Sequence, residues 1–493
     1  MPFEETEGFL KANEKTTVVD RPGNPVVKVD ENVLPSKTAC EDRHAVDIIP
    51  RGRLASLLAP YAQGTSFWDS WAKAKVSPAE PGDGSDDIVM ISVFDGHCNS
   101  TATSDLLMKT LHPCIAWMIA AASSSYSFPD PTLNTGVFAQ SVRDAYEAWD
   151  AASIATPFAL LENKIKLPDV PGYPGFPNPG LVALADAPSR GSAGITAIVD
   201  VKGDTLHVAN LGDSRAVAGW WNPEDKVWRC DILSSDQECE NPAEADRVRE
   251  AHPPEEADDV VFDAGYCKRL LGTGQPSRAF GNTSYKLPLE KQDRLTGVLG
   301  GNQSKPLKPV LTPPYKTAEA EVVSRHLHPA SGEELKFLVV AADGLWDRTT
   351  SEEAALLLSA HLNHPHAPDI PKAILPALHP YLSPSEPRPF PAETLPGKEE
   401  RAAGDWVFED TNAATHLIRN SLGGKGWDRD VRRKVLSMRE GGTRSVRDDT
   451  TVVVVWFDDD QGRLHQEMRA PLEQGCRPAG RVSPFEVAHR VVD

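Results

Sequence analysis

The sequence predicts a mixed α+β fold in which apolar strands alternate with amphipathic helices. Three observations carry this. Five β-branched runs of strand length are bounded by Gly, Asp or polar clusters. Segments between them carry helical periodicity. Acidic residues stand at the margins of four apolar runs rather than at random.

The strand runs are Ile88–Phe94 (IVMISVF), Thr196–Val201 (TAIVDV), Thr205–Ala209, Phe337–Ala342 (FLVVAA) and Thr450–Phe457 (TTVVVVWF). Gln140–Ala152 and Ala243–His252 read as amphipathic helices. Ser351 before EEAALLLSAHL reads as an N-cap with an acidic first turn. Val182–Ala187 is too weakly patterned to assign. Two Pro-rich segments, 157–188 and 364–396, read as surface insertions, the second with ten prolines. Helix interiors and central strands do not tolerate that density. Strand signals resume after each, which favours one decorated domain; a linker between two domains is the alternative for the second.

Composition sets outer bounds. The chain has 493 residues, 40% hydrophobic and 25% charged, which is ordinary globular material. Lys plus Arg number 51 against 71 Asp plus Glu, a net charge of −20. That balance speaks against a nucleic-acid partner, which needs a basic face. It leaves room for a phosphoprotein, because bound divalent cations invert the local sign of an acidic site. The seven cysteines (Cys40, Cys98, Cys114, Cys230, Cys239, Cys267 and Cys476) are odd in number and form no CxxC pair. Neither a disulfide framework nor a zinc knuckle is indicated, and a reducing compartment fits best. No apolar run is long enough to span a bilayer. The start, MPFEETEGFLKANEK, is acidic and shows no secretion or import signal, so by itself it points to the cytosol.

The chemistry lies in the aspartates. IVMISVF ends in Asp95-Gly96-His97, HVANLG in Asp213-Ser214-Arg215, and FLVVAA in Asp343-Gly344-Leu345-Trp346-Asp347. Asp448-Asp449 precede the last strong strand. One such aspartate is ordinarily a turn or helix cap. Four at strand margins of one sheet system point further, since carboxylates gathered at one rim repel unless cations sit among them. Hard oxygen ligands without clustered His or Cys suit Mg²⁺ or Mn²⁺ rather than zinc. Gly96 and Gly344 permit close backbone approach, so a carbonyl could join the ligands. His97 beside Asp95 is the one histidine with a chemical task in reach, proton transfer near neutral pH.

Seven elements in order now carry a resemblance. They are Cys40-Glu41-Asp42-Arg43, VFDGH (93–97), SAGITA (192–197), ANLGDSRA (209–216), SRAFGN (277–282), ADGLWD (342–347) and RDDTTVVVV (447–455). In these the chain resembles the metal-dependent protein phosphatase family, protein phosphatase 2C. The resemblance implies a four-layer αββα sandwich, two antiparallel β-sheets flanked by helices. It implies an enzyme that hydrolyses phosphoserine and phosphothreonine in proteins with a water activated by two Mg²⁺ or Mn²⁺ ions, with a third, weaker metal site. By resemblance Asp95 bridges both metals with the Gly96 carbonyl on one, and Asp343 and Asp448 complete the other. Glu41 and Asp42 act through metal-bound waters, and Asp213 and Asp347 join Asp343 at the third metal. His97 is the implied general acid. None of the cysteines lies in a CxxxxxR loop, which disfavours a cysteine-nucleophile phosphatase.

The resemblance places residues 37–460 in the phosphatase domain, with N- and C-terminal extensions at 1–36 and 461–493. Three departures stand out. Lys37 occupies the place of the family's phosphate-gripping arginine, keeping the charge but losing the bidentate fork, so that Arg43 could assist. Cys98-Asn99 follow the histidine where small residues are usual, and Asn282 replaces an aspartate. Asp448-Asp449 and the segment Leu233–Pro253 resemble the pyruvate dehydrogenase phosphatase branch. That branch implies the pyruvate dehydrogenase complex as substrate and the mitochondrial matrix as compartment, against the cytosol suggested by the N-terminus. Two other readings remain at this point: a catalytically inactive binding module, and a hydrolase of another phosphoester. The first would be expected to have lost an aspartate, and the three strongest ligand candidates are all present.

Overall fold

The computed structural model describes residues 3–37, 39–54, 82–125, 135–162, 179–263, 265, 267–300, 305–363, 369–379, 381–382, 404–422, 436 and 447–457. In chain order the strands are β1 (Lys15–Val18), β2 (Val26–Leu34), β3 (Arg43–Pro50), β4 (Asp87–Phe94), β5 (Gly96–His97), β6 (Gly191–Ser192) and β7 (Gly194–Asp200). They continue with β8 (Thr205–Leu211), β9 (Arg215–Asn222), β10 (Val227–Ile232), β11 (Val261–Asp263), β12 (Lys268–Leu270) and β13 (Phe280–Gly281). The last are β14 (Glu321–His326), β15 (Glu334–Ala341), β16 (Ile370–Pro371), β17 (Tyr381–Leu382), β18 (Asp405–Trp406) and β19 (Thr450–Phe457).

Two large sheets dominate, ordered β1-β2-β19-β15-β9-β10-β17 and β14-β8-β7-β4-β3. Pairing is antiparallel throughout except for the short β10–β17 contact. The sheets meet through one apolar layer in which Val89, Ile91, Val93, Ile195, Leu338, Val340, Val453 and Val455 are buried. Alternate residues of the same strands point the other way. Ile88, Met90 and Phe94 pack beneath the helices Ala102–Ser125 and Thr135–Leu161. Val452, Val454 and Trp456 pack beneath Ser351–Asn363 and Ala413–Ser421. This is the expected four-layer αββα sandwich. Being covered on both faces explains why the central strands read as unbroken apolar runs rather than as alternation.

The expected strands and helices fall on observed ones with shifted bounds. Gln140–Ala152 sits within the helix Thr135–Leu161, Ala243–His252 overlaps Pro242–Glu250, and the unassigned Val182–Ala187 lies within Pro179–Ser189. Fourteen of the nineteen described strands had no sequence signal strong enough to name, β2 among them. Its sequence VVKVDENVL holds four polar residues in its middle. They are tolerated because each is partnered: Asp30, fully buried, accepts from Trp456 Nε1 at 2.9 Å and Thr16 Oγ1 at 2.7 Å and pairs with Lys28.

Residues 1–36 were expected to extend from the domain. Instead the described part of that stretch is built into it: β2 pairs with β19 along Thr450–Phe457, and Leu10 is fully buried in the outer core. The first Pro-rich stretch is helical at both ends, with Pro157 inside one helix and 179–188 inside the next; 163–178 lie outside the described residues. Of the second, only 369–379 and 381–382 are described, and Ile370 and Leu375 there are buried. The expected C-terminal extension, 461–493, lies outside the described residues.

Candidate metal centre

Sheet register gathers the carboxylates. Arg43 pairs with Phe94, which sets Asp42 beside Asp95 at one end of the second sheet. Ala341 pairs with Val452 and with Arg215, which brings Asp343, Asp448 and Asp213 to the same end of the first sheet. One carboxylate oxygen from each of Asp95, Asp213 and Asp343 lies within 4.8 Å of the others. A small third sheet, β13-β6-β5, then ties His97 to Gly191 and Gly281 to Gly191, so that segments far apart in sequence share one rim.

The two glycines after the aspartates are needed for this closure. A Cβ on Gly96 would stand 2.4 Å from the Glu41 carbonyl oxygen, and one on Gly344 would stand 2.1 Å from that of Asp449. Any side chain would wedge the strand ends apart. Cys98 and Asn99 have φ of +71° and +53°, the left-handed region that disfavours side chains with a Cβ. Small residues or glycine therefore suit these positions, and this chain holds the turn without them.

Burial first, and mutual repulsion second, raise the carboxyl groups of Asp42, Asp95 and Asp343 well above the usual range. Asp213 is raised to about 7 by burial and by the charge of Asp236. Asp347 is raised for the same kind of reason, burial and Asp448. Among the described residues the buried Oδ2 of Asp42 has no hydrogen-bond partner. Crowded, desolvated, all-oxygen carboxylates with an orphaned acceptor are what a hard divalent cation would satisfy, so the donor set fits Mg²⁺ or Mn²⁺.

Around this cluster the neighbours have defined tasks. Glu41 accepts the Ser100 backbone N–H at 2.6 Å and pairs with Lys37. Arg43 donates through Nε to Asp105 at 2.7 Å and through one Nη to the carbonyls of Cys40 and Asp42, so much of its fork is committed. His97 Nε2 lies 2.7 Å from Asn282 Oδ1.

Four residues to which sequence reasoning gave no role in the site join it. Asp449 accepts from Ser36 N, Ser36 Oγ and Glu41 N at 2.6–2.7 Å, latching the segment that carries Lys37, Glu41 and Asp42. Asp236 and Glu238 lie in the charge field of Asp213 and Asp347, with Asp236 held by Arg215 and Glu238 raised to about 8 by burial and Asp213. Lys316, almost wholly buried, donates to Asn282 at 3.2 Å, and burial lowers its ammonium to about 8. The acidic SSDQECE run, 234–240, was a usable signal for the second pair. Nothing local marks Lys316.

A family model described as Protein phosphatase 2C matches residues 181–374. A protein phosphatase 2C homolog of Schizosaccharomyces pombe is 31% identical over 468 residues, covering 91% of this chain and 84% of that protein. The mitochondrial pyruvate dehydrogenase (acetyl-transferring) phosphatase 1 of Bos taurus is 36% identical over 317 residues, 61% of this chain and 53% of that one. Its counterpart in Saccharomyces cerevisiae is 28% identical over 468 residues, 92% of this chain and 72% of that one. The match to the bovine relative thus spans about half of that protein's length. Among the described residues no helix is long and apolar enough to cross a membrane.

Proposed function

The chain belongs to the protein phosphatase 2C family, and from that premise we propose that it is a metal-dependent protein serine/threonine phosphatase. The observation that carries the reading is the convergence of Asp95, Asp213 and Asp343 oxygens within 4.8 Å at the rim of the sandwich. In this reading Asp95, the Gly96 carbonyl, Asp343 and Asp448 hold two divalent cations directly, and Glu41 and Asp42 hold them through water. Asp213 and Asp347 serve a third, weaker site. Bound Mg²⁺ or Mn²⁺ supplies the positive charge that lowers the pKa of the attacking water and offsets charge on the phosphoryl oxygens.

The chain's own residues do the rest. Lys37, paired with Glu41 and partly exposed, meets the substrate phosphate as a point charge. Arg43 has less to offer because Asp105 and two carbonyls occupy its Nε and one Nη. The carboxylates orient water opposite the leaving oxygen, so that the P–O bond to serine or threonine breaks as the new one forms. His97 gives a proton to the departing alkoxide, which is otherwise a poor leaving group.

The proposed substrate is a phosphoprotein, with the phosphorylated pyruvate dehydrogenase complex first in line and the mitochondrial matrix as compartment. The names of the bovine and yeast relatives support that choice. The deciding experiment is phosphate release from a phosphoserine peptide with Mn²⁺, Mg²⁺ or EDTA, beside Asp343→Asn. Turnover that needs metal and disappears in the variant supports the reading; full activity in EDTA or in the variant sinks it. Phosphorylated pyruvate dehydrogenase against an unrelated phosphoprotein then tests the substrate.

A further inference from the structure

We propose that Asp186 and Arg190 are positioning residues that clamp the turn at residues 98–100 from outside, so that the Ser100 backbone N–H holds one carboxylate oxygen of Glu41 in place beside the metal centre. The inference rests on the metal-dependent phosphatase reading. It gives a role to the described end of the first Pro-rich stretch, which the reaction otherwise leaves unused.

Glu41 is what has to be held. Its main chain is tied on both sides, the N–H to Asp449 at 2.7 Å and the carbonyl to Ser104 Oγ at 2.6 Å. The direction of the side chain is the remaining freedom. Among the described residues its carboxylate has two donors: one oxygen pairs with Lys37, and the other accepts the Ser100 backbone N–H at 2.6 Å. Lysine is a point charge on a flexible stem, and in the proposed reaction it turns toward phosphate. The backbone donor is then the contact that keeps the carboxylate still. It does so only if residue 100 is itself fixed.

The turn does not fix itself. Cys98 and Asn99 both stand in the left-handed region, at φ +71° and +53°, where a Cβ crowds the backbone. The hold comes from outside. Arg190 donates through Nη1 to the Cys98 carbonyl at 3.2 Å and through Nε to Asp186 Oδ1 at 2.8 Å. The other oxygen of Asp186 accepts the Ser100 hydroxyl at 3.2 Å. That hydroxyl in turn accepts the Ala102 N–H at 3.2 Å, where the helix Ala102–Ser125 begins. Both ends of the turn are thus fastened to one ion pair, and a charged partner strengthens each bond.

The ion pair is anchored in its turn. β5 and β6 run antiparallel with His97 opposite Gly191, a register that sets Arg190 across from Cys98. The Arg190 carbonyl accepts the Asn282 N–H, and a Cβ on Gly281 would lie 2.6 Å from that carbonyl oxygen. Asp186 belongs to the helix Pro179–Ser189. Thr103 Oγ1 donates to the Ala187 carbonyl of that helix at 2.6 Å, and Ala185 is fully buried beside Leu295 and Val298. The outer layer therefore lends its rigidity to a carboxylate at the rim. Removing either member of the pair frees the turn, and frees the Glu41 carboxylate with it.

The test titrates Mn²⁺ into metal-free wild type, Asp186→Ala, Asp186→Asn and Arg190→Leu, reading free Mn²⁺ by electron paramagnetic resonance. Turnover of a phosphoserine peptide and of an aryl phosphate, p-nitrophenyl phosphate, is followed beside it. Asp186→Ala and Arg190→Leu are expected to weaken Mn²⁺ binding by about 10-fold, the lower end for loss of a group that orients ligands. Asp186→Asn keeps an acceptor for Ser100 and should recover part of that loss. The Mn²⁺ midpoint for turnover should move by the same factor on both substrates, with the lost rate largely restored at high Mn²⁺. In a Glu41→Ala background the Asp186→Ala shift should vanish, because the two residues act as one unit. Unchanged Mn²⁺ binding in both variants overturns the proposal. So does a shift that persists without Glu41, or turnover lost at every Mn²⁺ concentration with the midpoint unmoved. If wild type binds Mn²⁺ but turns over neither substrate, the phosphatase reading falls instead, and the binding curves still decide the clamp. A wild type that takes up no Mn²⁺ overturns both.

Discussion

The Asp449 carboxylate accepts the backbone N–H of Glu41 at 2.7 Å across a sequence separation of 408 residues, while its other oxygen takes both donors of Ser36. One buried side chain thereby joins the start of β19 to the segment that presents Lys37, Glu41 and Asp42. The second aspartate of the Asp448-Asp449 pair is thus a latch whose oxygens face the backbone of the other segment.

Asp449→Ala removes all three acceptor contacts and leaves Ser36 and Glu41 donors buried. Metal affinity is expected to fall by about 10- to 100-fold, as for loss of a group that orients ligands, and Asp449→Asn, which keeps one carbonyl oxygen, to fall less. Activity titrated against Mn²⁺ measures both. An unchanged titration curve in Asp449→Ala would show that the segment holds its place without the latch.

The raised carboxyl groups make metal-free stability depend on pH. Asp42, Asp95, Asp213, Asp343 and Glu238 all bind their protons more tightly folded than unfolded. Stability from such groups is present at low pH and is lost as pH rises above about 4 and through the folded-state values. For Asp213 and Glu238 those values are about 7 and about 8. In EDTA the protein is therefore expected to melt at lower temperature near pH 8 than near pH 6, and Mn²⁺ or Mg²⁺ should flatten the trend. Metal-free Asp343→Asn, with one fewer repelling charge, should melt no lower than wild type and gain little from metal. A metal-free Tm that climbs between pH 6 and pH 8 would contradict the crowding.

Much of this was legible along the chain, for a physical reason. Strands buried on both faces need apolar residues at every position, so Ile88–Phe94 and Thr450–Phe457 stand out, and an aspartate that ends such a run is conspicuous. The same logic hid β2, whose Lys28, Asp30, Glu31 and Asn32 are polar but paired inside the structure. It hid β9 as well, where Gly219 interrupts the pattern because a Cβ there would lie 2.0 Å from the Phe337 ring. Asp449 and Lys316 were illegible in role because their partners, Glu41 and Asn282, are brought to them by register and not by spacing.

Gly344 tests how closely the strand ends must approach. Its missing Cβ would lie 2.1 Å from the Asp449 carbonyl and 2.9 Å from Thr450 Oγ1. The first of these atoms is backbone and has no rotamer to move. Gly344→Ala is expected to push Asp343 away from β19, lower stability by about 1–3 kcal/mol and reduce metal-dependent turnover more than thermal stability alone explains. Melting and Mn²⁺ titration of the same preparation separate the two effects. A fully active variant would mean that the loop relaxes without moving the ligand.

A line of side chains with the geometry of a hydrolytic triad lies elsewhere in the sandwich: Ser92 Oγ is 2.7 Å from His112 Nε2, and His112 Nδ1 is 2.6 Å from Asp47. It continues inward, with Ser92 2.6 Å from Thr196 Oγ1 and the Tyr146 hydroxyl donating to that same oxygen at 2.7 Å. Each group can donate to the next, from Tyr146 outward to Asp47, which leaves every hydroxyl satisfied. Ser92 is fully buried and His112 is 1% exposed, so no substrate reaches the serine. The chain therefore fastens the helix Ala102–Ser125 to β3, β4 and β7, and carries no chemistry. Ser92→Ala orphans His112 Nε2 and the Thr196 hydroxyl, and should cost about 1–3 kcal/mol of stability. Turnover per folded molecule should not change on either the peptide or the aryl phosphate. A melt and a rate measured on one sample decide the matter: loss of turnover at unchanged Tm would give this buried line a role in the reaction after all.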